Sequence, residues 1–165
     1  MYSSYTAASF ARKHELADKH GVNLEGALTW AFEFEDQPYF AGFRVLASND
    51  IDLPVLNIFR MFALMKGSRI KSESSSQLSL ESILADSVRK EADVGAFASS
   101  DGTTVAVMIW HYHDDDVAGP LANVELKIDG LQVKQGSKVT HYRVDKEYSK
   151  SFEVWNFLNE FIHSI

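Results

Sequence analysis

VNLEGALTWAFEFED, residues 22–36, is the stretch on which the fold turns. From Ala27 to Phe34 it is apolar and aromatic apart from Thr29 and Glu33, as a strand buried on both faces reads. Helical patterns flank it. Residues 5–20 carry Ala7, Phe10, Ala11, His14 and Ala17 at helical spacing, with Thr6 placed to cap the start and Gly21 to supply a left-handed exit. Residues 52–67, DLPVLNIFRMFALMKG, put Pro54 in a first turn, Val55, Phe59, Phe62 and Met65 on one face, and Gly67 at the end. Helix, buried strand, helix is the order of an α/β protein with a parallel sheet. One strand makes no such sheet, because its backbone groups would lack partners. The rest of the sheet is therefore expected from another molecule or from a longer protein of which this is the tail end.

From Ser68 the character changes. SRIKSESSSQLSLES is serine-rich and polar, and reads as a linker or as the first irregular strands. DVGAFASS and TTVAVMIWHYH flank Asp101-Gly102, a strong hairpin signal. ANVELKI (122–128) alternates apolar and polar, Asp129-Gly130 makes another turn, and SKVTHYRV (137–144) alternates again. Short strands at regular spacing predict a small antiparallel sandwich. The last segment, SFEVWNFLNEFIHSI, reads as a helix with Phe152, Trp155 and Leu158 on one face.

Composition narrows the function classes. The chain has 165 residues, of which 45% are hydrophobic and 12% aromatic, enough for a real core. A net charge of −7 with no Lys/Arg cluster argues against a nucleic-acid partner. No apolar run is long enough to cross a bilayer, and MYSSYTAASF lacks the build of a signal peptide, so a soluble chain with no membrane partner is expected. The absence of cysteine excludes disulfides and thiolate metal sites. Phosphate-binding glycine loops, HExxH and the G-x-S-x-G elbow do not occur.

Taken in order, LTWAFEFED, YFAGFRVL, LPVLNIFRMFALMKG, VAVMIWHYHDDD and HYRVDKEYS, with Trp155 shortly after, resemble the C-terminal part of glycoside hydrolase family 39, most of all its bacterial β-xylosidases. The likeness runs over roughly residues 5–158. It implies an α+β fragment: the last βα units of a (β/α)8 TIM barrel over residues 1–67, then an accessory antiparallel β-sandwich with a divergent tail over residues 68–165. Residues 5–20 would be a late barrel helix, Leu24 to Phe34 the eighth strand and Pro54 to Lys66 the eighth helix.

The implied activity is retaining hydrolysis of terminal β-1,4-linked xylose from xylo-oligosaccharides, as in xylan degradation. One glutamate acts as acid/base and a second as nucleophile, about 5–5.5 Å apart. The resemblance puts that pair on the fourth and seventh barrel strands, the first in an Asn-Glu-Pro motif. No Asn-Glu-Pro occurs here. The chain is thus expected to hold no catalytic residue, to be inactive alone, and to self-associate through the exposed barrel edge. No cofactor and no metal are implied. The whole enzyme would be bacterial, cytoplasmic or exported.

Barrel active sites lie at the C-terminal ends of the strands. Trp30 is placed there to stack on a sugar ring, and Glu33 and Glu35 to accept hydrogen bonds from its hydroxyls. Regular alternation puts Trp30, Phe32 and Phe34 on one face and the two glutamates on the other, so all three site residues point inward together only if the strand breaks. Glu33 and Glu35 stand at i and i+2, about 7 Å apart on a strand, a spacing within the range of inverting enzymes. The resemblance locates the acid/base pair elsewhere. Tyr39, Phe40 and Phe43, with Arg44, are placed either to line the pocket mouth or to pack against the sandwich, and the second, stabilising the domain junction, is expected.

WHYHDDD (110–116) offers His111 and His113 on one strand face and aspartates beyond, a candidate metal site. Nothing else in the chain supplies a further ligand at recognisable spacing, and the stretch reads better as a sandwich strand running into a solvated loop. The competing functional reading is a non-catalytic carbohydrate-binding or interaction sandwich that uses Trp110 and Tyr112 as a stacking platform.

Overall fold

The computed structural model describes residues 2–29, 32–42, 45–115 and 121–163. Among them the chain is an α+β fold of four helices and two small antiparallel sheets. In chain order these are α1 (Tyr2–His20), β1 (Ala47–Ser48), β2 (Ile51–Asp52), α2 (Pro54–Leu64), β3 (Ser68–Ile70), α3 (Leu80–Asp86), β4 (Asp93–Ser100), β5 (Val105–Tyr112) and α4 (Ser151–His163).

α1 starts at Tyr2, so Thr6 lies inside the helix and does not cap it. Its exit follows the sequence signal. Gly21 takes φ +63°, its N–H donates to the Asp18 carbonyl, and the Val22 N–H reaches back 2.8 Å to the Ala17 carbonyl. This is the paired bonding of a Schellman stop. α2 begins with Pro54, whose missing N–H costs nothing in a first turn. Gly67, at φ +80°, is required for a second reason: a Cβ there would overlap the backbone of Ser100 where β3 meets β4.

β4 and β5 form the hairpin that Asp101-Gly102 predicts, paired from Asp93↔Tyr112 to Ser100↔Val105. Gly102 sits at φ +88°, and Asp101 Oδ1 accepts from the Thr103 N–H, the Thr103 hydroxyl and the Thr104 N–H. β3 adds a third strand beside β4. Asn49 and Asp50, both at positive φ, make the two-residue turn of the β1–β2 hairpin.

Along β5 burial alternates. Met108, Trp110 and Tyr112 are buried, while Ile109 and His111 are exposed. The buried face meets Ala7, Ala8 and Ala11 of α1 and Ile58 of α2 in one core, joined by Val88. Alanines let α1 lie close against the sheet, and Phe10 on its flank packs on Phe59 and Phe62 of α2. The core therefore draws on residues from both sides of position 67.

Three stretches differ from the sequence expectation. Residues 22–29 carry a strand pattern but form no strand, and Leu28 is completely exposed. Among the described residues no neighbouring strand pairs with them, so there the pattern has nothing to pair with. Residues 122–128 and 137–144 likewise form no ladder, leaving Val124, Leu126, Val139 and Tyr142 exposed. The sheet face that a sandwich would cover with a second sheet is covered instead by α1 and α2.

The serine-rich segment is the third. α3 forms within it, with the Ser79 hydroxyl accepting from the Ser82 N–H as N-cap. Upstream, Ser72 and Ser74 donate their hydroxyls to the carbonyls of Ala96 and Val94, and the Val94 N–H bonds to Ser76. Side chains thereby extend the β4 edge that β3 leaves uncovered.

Candidate functional site

Of the three sugar-contact residues expected from sequence, Trp30 lies outside the described residues. Glu33 is half-buried, and its carboxylate accepts the Asp50 N–H at 3.2 Å. It lines a cavity of only about 10 Å³ with Phe34, Gln37 and Ser48, room for one water at most. Glu35 is exposed. Asp36, at φ +56°, turns the chain directly after it. Alternation beyond Phe32 is broken by this turn, and Phe32 and Phe34 both face solvent. The two glutamates thus share no ligand-sized pocket among the described residues.

The loop that follows is fixed by aromatic packing. Tyr39 stacks on Trp155 at 5.2 Å between ring centroids, and Phe40 meets Phe152 and Trp155 edge-on. Tyr39 and Phe40 thus pack on α4, not on a sandwich strand. Phe43 and Arg44 lie outside the described residues.

In WHYHDDD the His113 and Asp114 side chains are held by hydrogen bonds, while His111 is exposed. His113 Nε2 lies 3.1 Å from the Arg89 carbonyl, and its Nδ1 accepts the Asp115 N–H. A neutral imidazole that donates from Nε2 satisfies both. Asp114 accepts the Tyr112 hydroxyl at 2.6 Å and the Val88 N–H at 2.7 Å, and its own N–H returns to the Val88 carbonyl. Burial pushes the Asp114 carboxyl up, but the Tyr112 hydroxyl, the Val88 N–H and the nearby Arg89 and Arg12 bring it below its usual value. The same burial, with the Asp114 charge, raises the Tyr112 phenol well above its ordinary range. No group of three or more His, Asp or Glu is arranged to hold a metal among the described residues. Asp116 lies outside them.

Trp110 and Tyr112 are only 3% and 5% exposed, so neither presents a stacking face to solvent. What Trp110 does is internal. Its indole N–H donates to Asp93 Oδ2 at 2.8 Å, Arg12 pairs with the same oxygen at 2.7 Å, and the Leu78 N–H bonds Oδ1 at 2.8 Å. Asp93 is 1% exposed. One buried carboxylate therefore ties α1, the segment before α3, β4 and β5 together. Sequence reading passed over Asp93, because an aspartate at a strand start reads as a turn residue.

A larger cleft opens beside this hub, between α1 and the β3–β4 edge. Its volume is about 360 Å³, and Glu15, Asp18, Arg69, Ser72, Gln77 and Phe97 line it. Gln77 donates to Glu15 at 2.8 Å, Arg69 pairs with Asp18, and His14 packs at a tilt against Phe97. Burial raises the Glu15 carboxyl above its usual value, with the Gln77 amide and Arg12 acting the other way. For His14, burial and then Arg69 lower the imidazole. The signal for this cleft is split between a helix and a serine-rich segment far apart in sequence, so no local motif announces it.

No family model, no curated protein and no solved structure matches this chain. No described helix is long and apolar enough to cross a membrane.

Proposed function

We propose that this chain is the C-terminal part of a retaining β-xylosidase resembling glycoside hydrolase family 39. It would supply one wall of a xylose site through Trp30, Glu33 and Glu35, together with an accessory β domain, while the acid/base and nucleophile reside elsewhere in the enzyme. The ordered series of aromatic motifs from LTWAFEFED to Trp155 supports this reading. The observation that carries it is residues 22–29, a stretch that opens the strand-patterned segment, pairs with no strand among the described residues and leaves Leu28 fully exposed. A barrel sheet completed by further strands would give that backbone its hydrogen bonds and that side chain its cover.

Two measurements test it. The chain alone, assayed on an aryl β-xyloside, is expected to give no turnover. Robust turnover would overturn the placement of the catalytic pair outside these residues. The genomic sequence immediately upstream is expected to encode Asn-Glu-Pro in an open frame, and a stop codon there in every frame would remove the barrel reading.

A further inference from the structure

We propose that the cleft between α1 and the β3–β4 edge binds a neutral, hydroxyl-rich ring of monosaccharide size. This site is distinct from the xylose wall and does not rest on the hydrolase reading. At about 360 Å³ the cleft lies at the small end of the range for ligand sites, roughly 300–1,000 Å³, and holds one pyranose ring rather than an oligomer.

The charge pattern selects against ions. Glu15 and Asp18 face Arg69 and Lys71 across the cleft, so the lining carries no net charge. Asp18 and Arg69 already pair, and Lys71 pairs with Glu73 at 2.6 Å. An anion would have to break one of these pairs to reach a cation, and a cation would find only the second Glu15 oxygen, with Arg69 and Lys71 in the same lining. A neutral ligand breaks none.

The hydrogen-bonding pattern selects for hydroxyls. Glu15 uses one carboxylate oxygen on Gln77, leaving the other as an acceptor. Ser72 donates its proton to the Ala96 carbonyl, so its oxygen is left to accept. Arg69 carries more N–H groups than its pairing with Asp18 consumes. A hydroxyl both donates and accepts, and a ring with several of them satisfies acceptors on one wall and donors on the other. Phe97 and Ile70 add an apolar patch suited to the C–H face of such a ring. Burial of Glu15 strengthens its bonds, since a desolvated carboxyl competes less with water.

The whole chain, isotopically labelled, is titrated by NMR with methyl β-xyloside and methyl β-glucoside, and separately with inorganic phosphate and putrescine. Saturable shifts are expected with a glycoside, confined to α1 and to residues 69–77 and 96–97. Glu15→Gln and Gln77→Ala should each weaken binding about tenfold while the spectrum keeps the dispersion of the folded chain. Leu84→Ser, on exposed α3 and outside the cleft, should leave affinity as it is. Absence of saturable shifts with either glycoside, undiminished affinity in both cleft variants, or preferential binding of phosphate or putrescine overturns the proposal.

Discussion

The β4–β5 hairpin and residues 121–144 carry the same kind of pattern and meet different fates. Both set strand-like apolar stretches around an Asp-Gly turn, continuous in VAVMIW (105–110) and alternating with polar residues in 122–128 and 137–144. The hairpin pairs along its full length and buries Met108, Trp110 and Tyr112. The later region leaves Leu121, Val124 and Val139 in solvent. Turn chemistry does not separate them, for Gly102 and Gly130 both adopt positive φ. What separates them is the cover. α1 and α2 lie over the hairpin, and Asp93 fastens it to α1 through Arg12, whereas of the later apolar residues Val144 reaches that core and Leu121, Val124, Leu126, Val133 and Val139 stay exposed. A strand pattern becomes a strand when another element pairs its backbone and covers its apolar face.

The sharpest way to break this contrast is to remove Asp93. Asp93→Ala leaves the Arg12 guanidinium, the Trp110 N–H and the Leu78 N–H without their acceptor in a buried setting. Breaking a buried pair of this kind costs about 3–5 kcal/mol. Urea denaturation should show the hairpin losing protection together with α1. If the variant loses less than about 1 kcal/mol, the hub is not what distinguishes the two regions. Adding Arg12→Met should recover part of the loss, because no unpaired cation is then left behind.

Gly95→Ala attacks the same contrast through packing. A Cβ at Gly95 would overlap the Trp110 indole and crowd Gln77. Overpacking at a filled site costs about 1–3 kcal/mol. Gly102→Ala, with open space around it, should show only the cost of positive φ, about 1–2 kcal/mol. Matching thermal shifts from the two variants would mean that Trp110 is free to move aside.

What was legible in sequence follows the same division. α1, α2 and α4, the Gly21 exit and the Asp101-Gly102 turn depend on local periodicity and local turn chemistry, and each is visible within a few residues. The unpaired state of residues 22–29, 122–128 and 137–144 is not local, because propensity records fitness for a sheet and not its presence. α3 hid because its seven residues are too few to display a period in a serine-rich run. The cleft hid because Glu15 and Gln77 are 62 positions apart. Glu33 and Glu35 were legible as acids near a strand end, but the turn at Asp36 directly after them depends on the loop's own packing.

Acid titration sharpens the comparison more gently. Asp114 has a folded pKa below its unfolded value, so its contribution is complete above the unfolded pKa, near 3.9. It is lost as pH falls through the folded value. Glu15 has the opposite sign: its raised folded pKa makes stability decline as pH rises through the window above its unfolded value. Tyr112→Phe removes the hydroxyl bonded to Asp114, costing about 1.5 kcal/mol at neutral pH and flattening the acid limb below pH ~4. Glu15→Gln should leave that limb intact and remove the decline above it. Identical profiles for the two variants would mean that neither carboxyl controls its assigned window.

The smallest expected effect lies in the uncovered region. Leu28→Ser alters a side chain that is fully exposed in this chain, and a surface change of that kind stays within about 0.5 kcal/mol. Its thermal midpoint should match that of the parent, while its tendency to self-associate should fall, because an apolar group has left the surface. Light scattering separates the two readouts. In a complete barrel the same substitution would put a hydroxyl into a buried strand at a cost of about 2–5 kcal/mol, as for other core truncations of leucine. A near-zero effect here and a large one in a longer polypeptide would locate the missing cover in the additional strands. A large effect in the chain alone would show that residues 22–29 already pack against something within it, and the distinction between covered and uncovered patterns would fail.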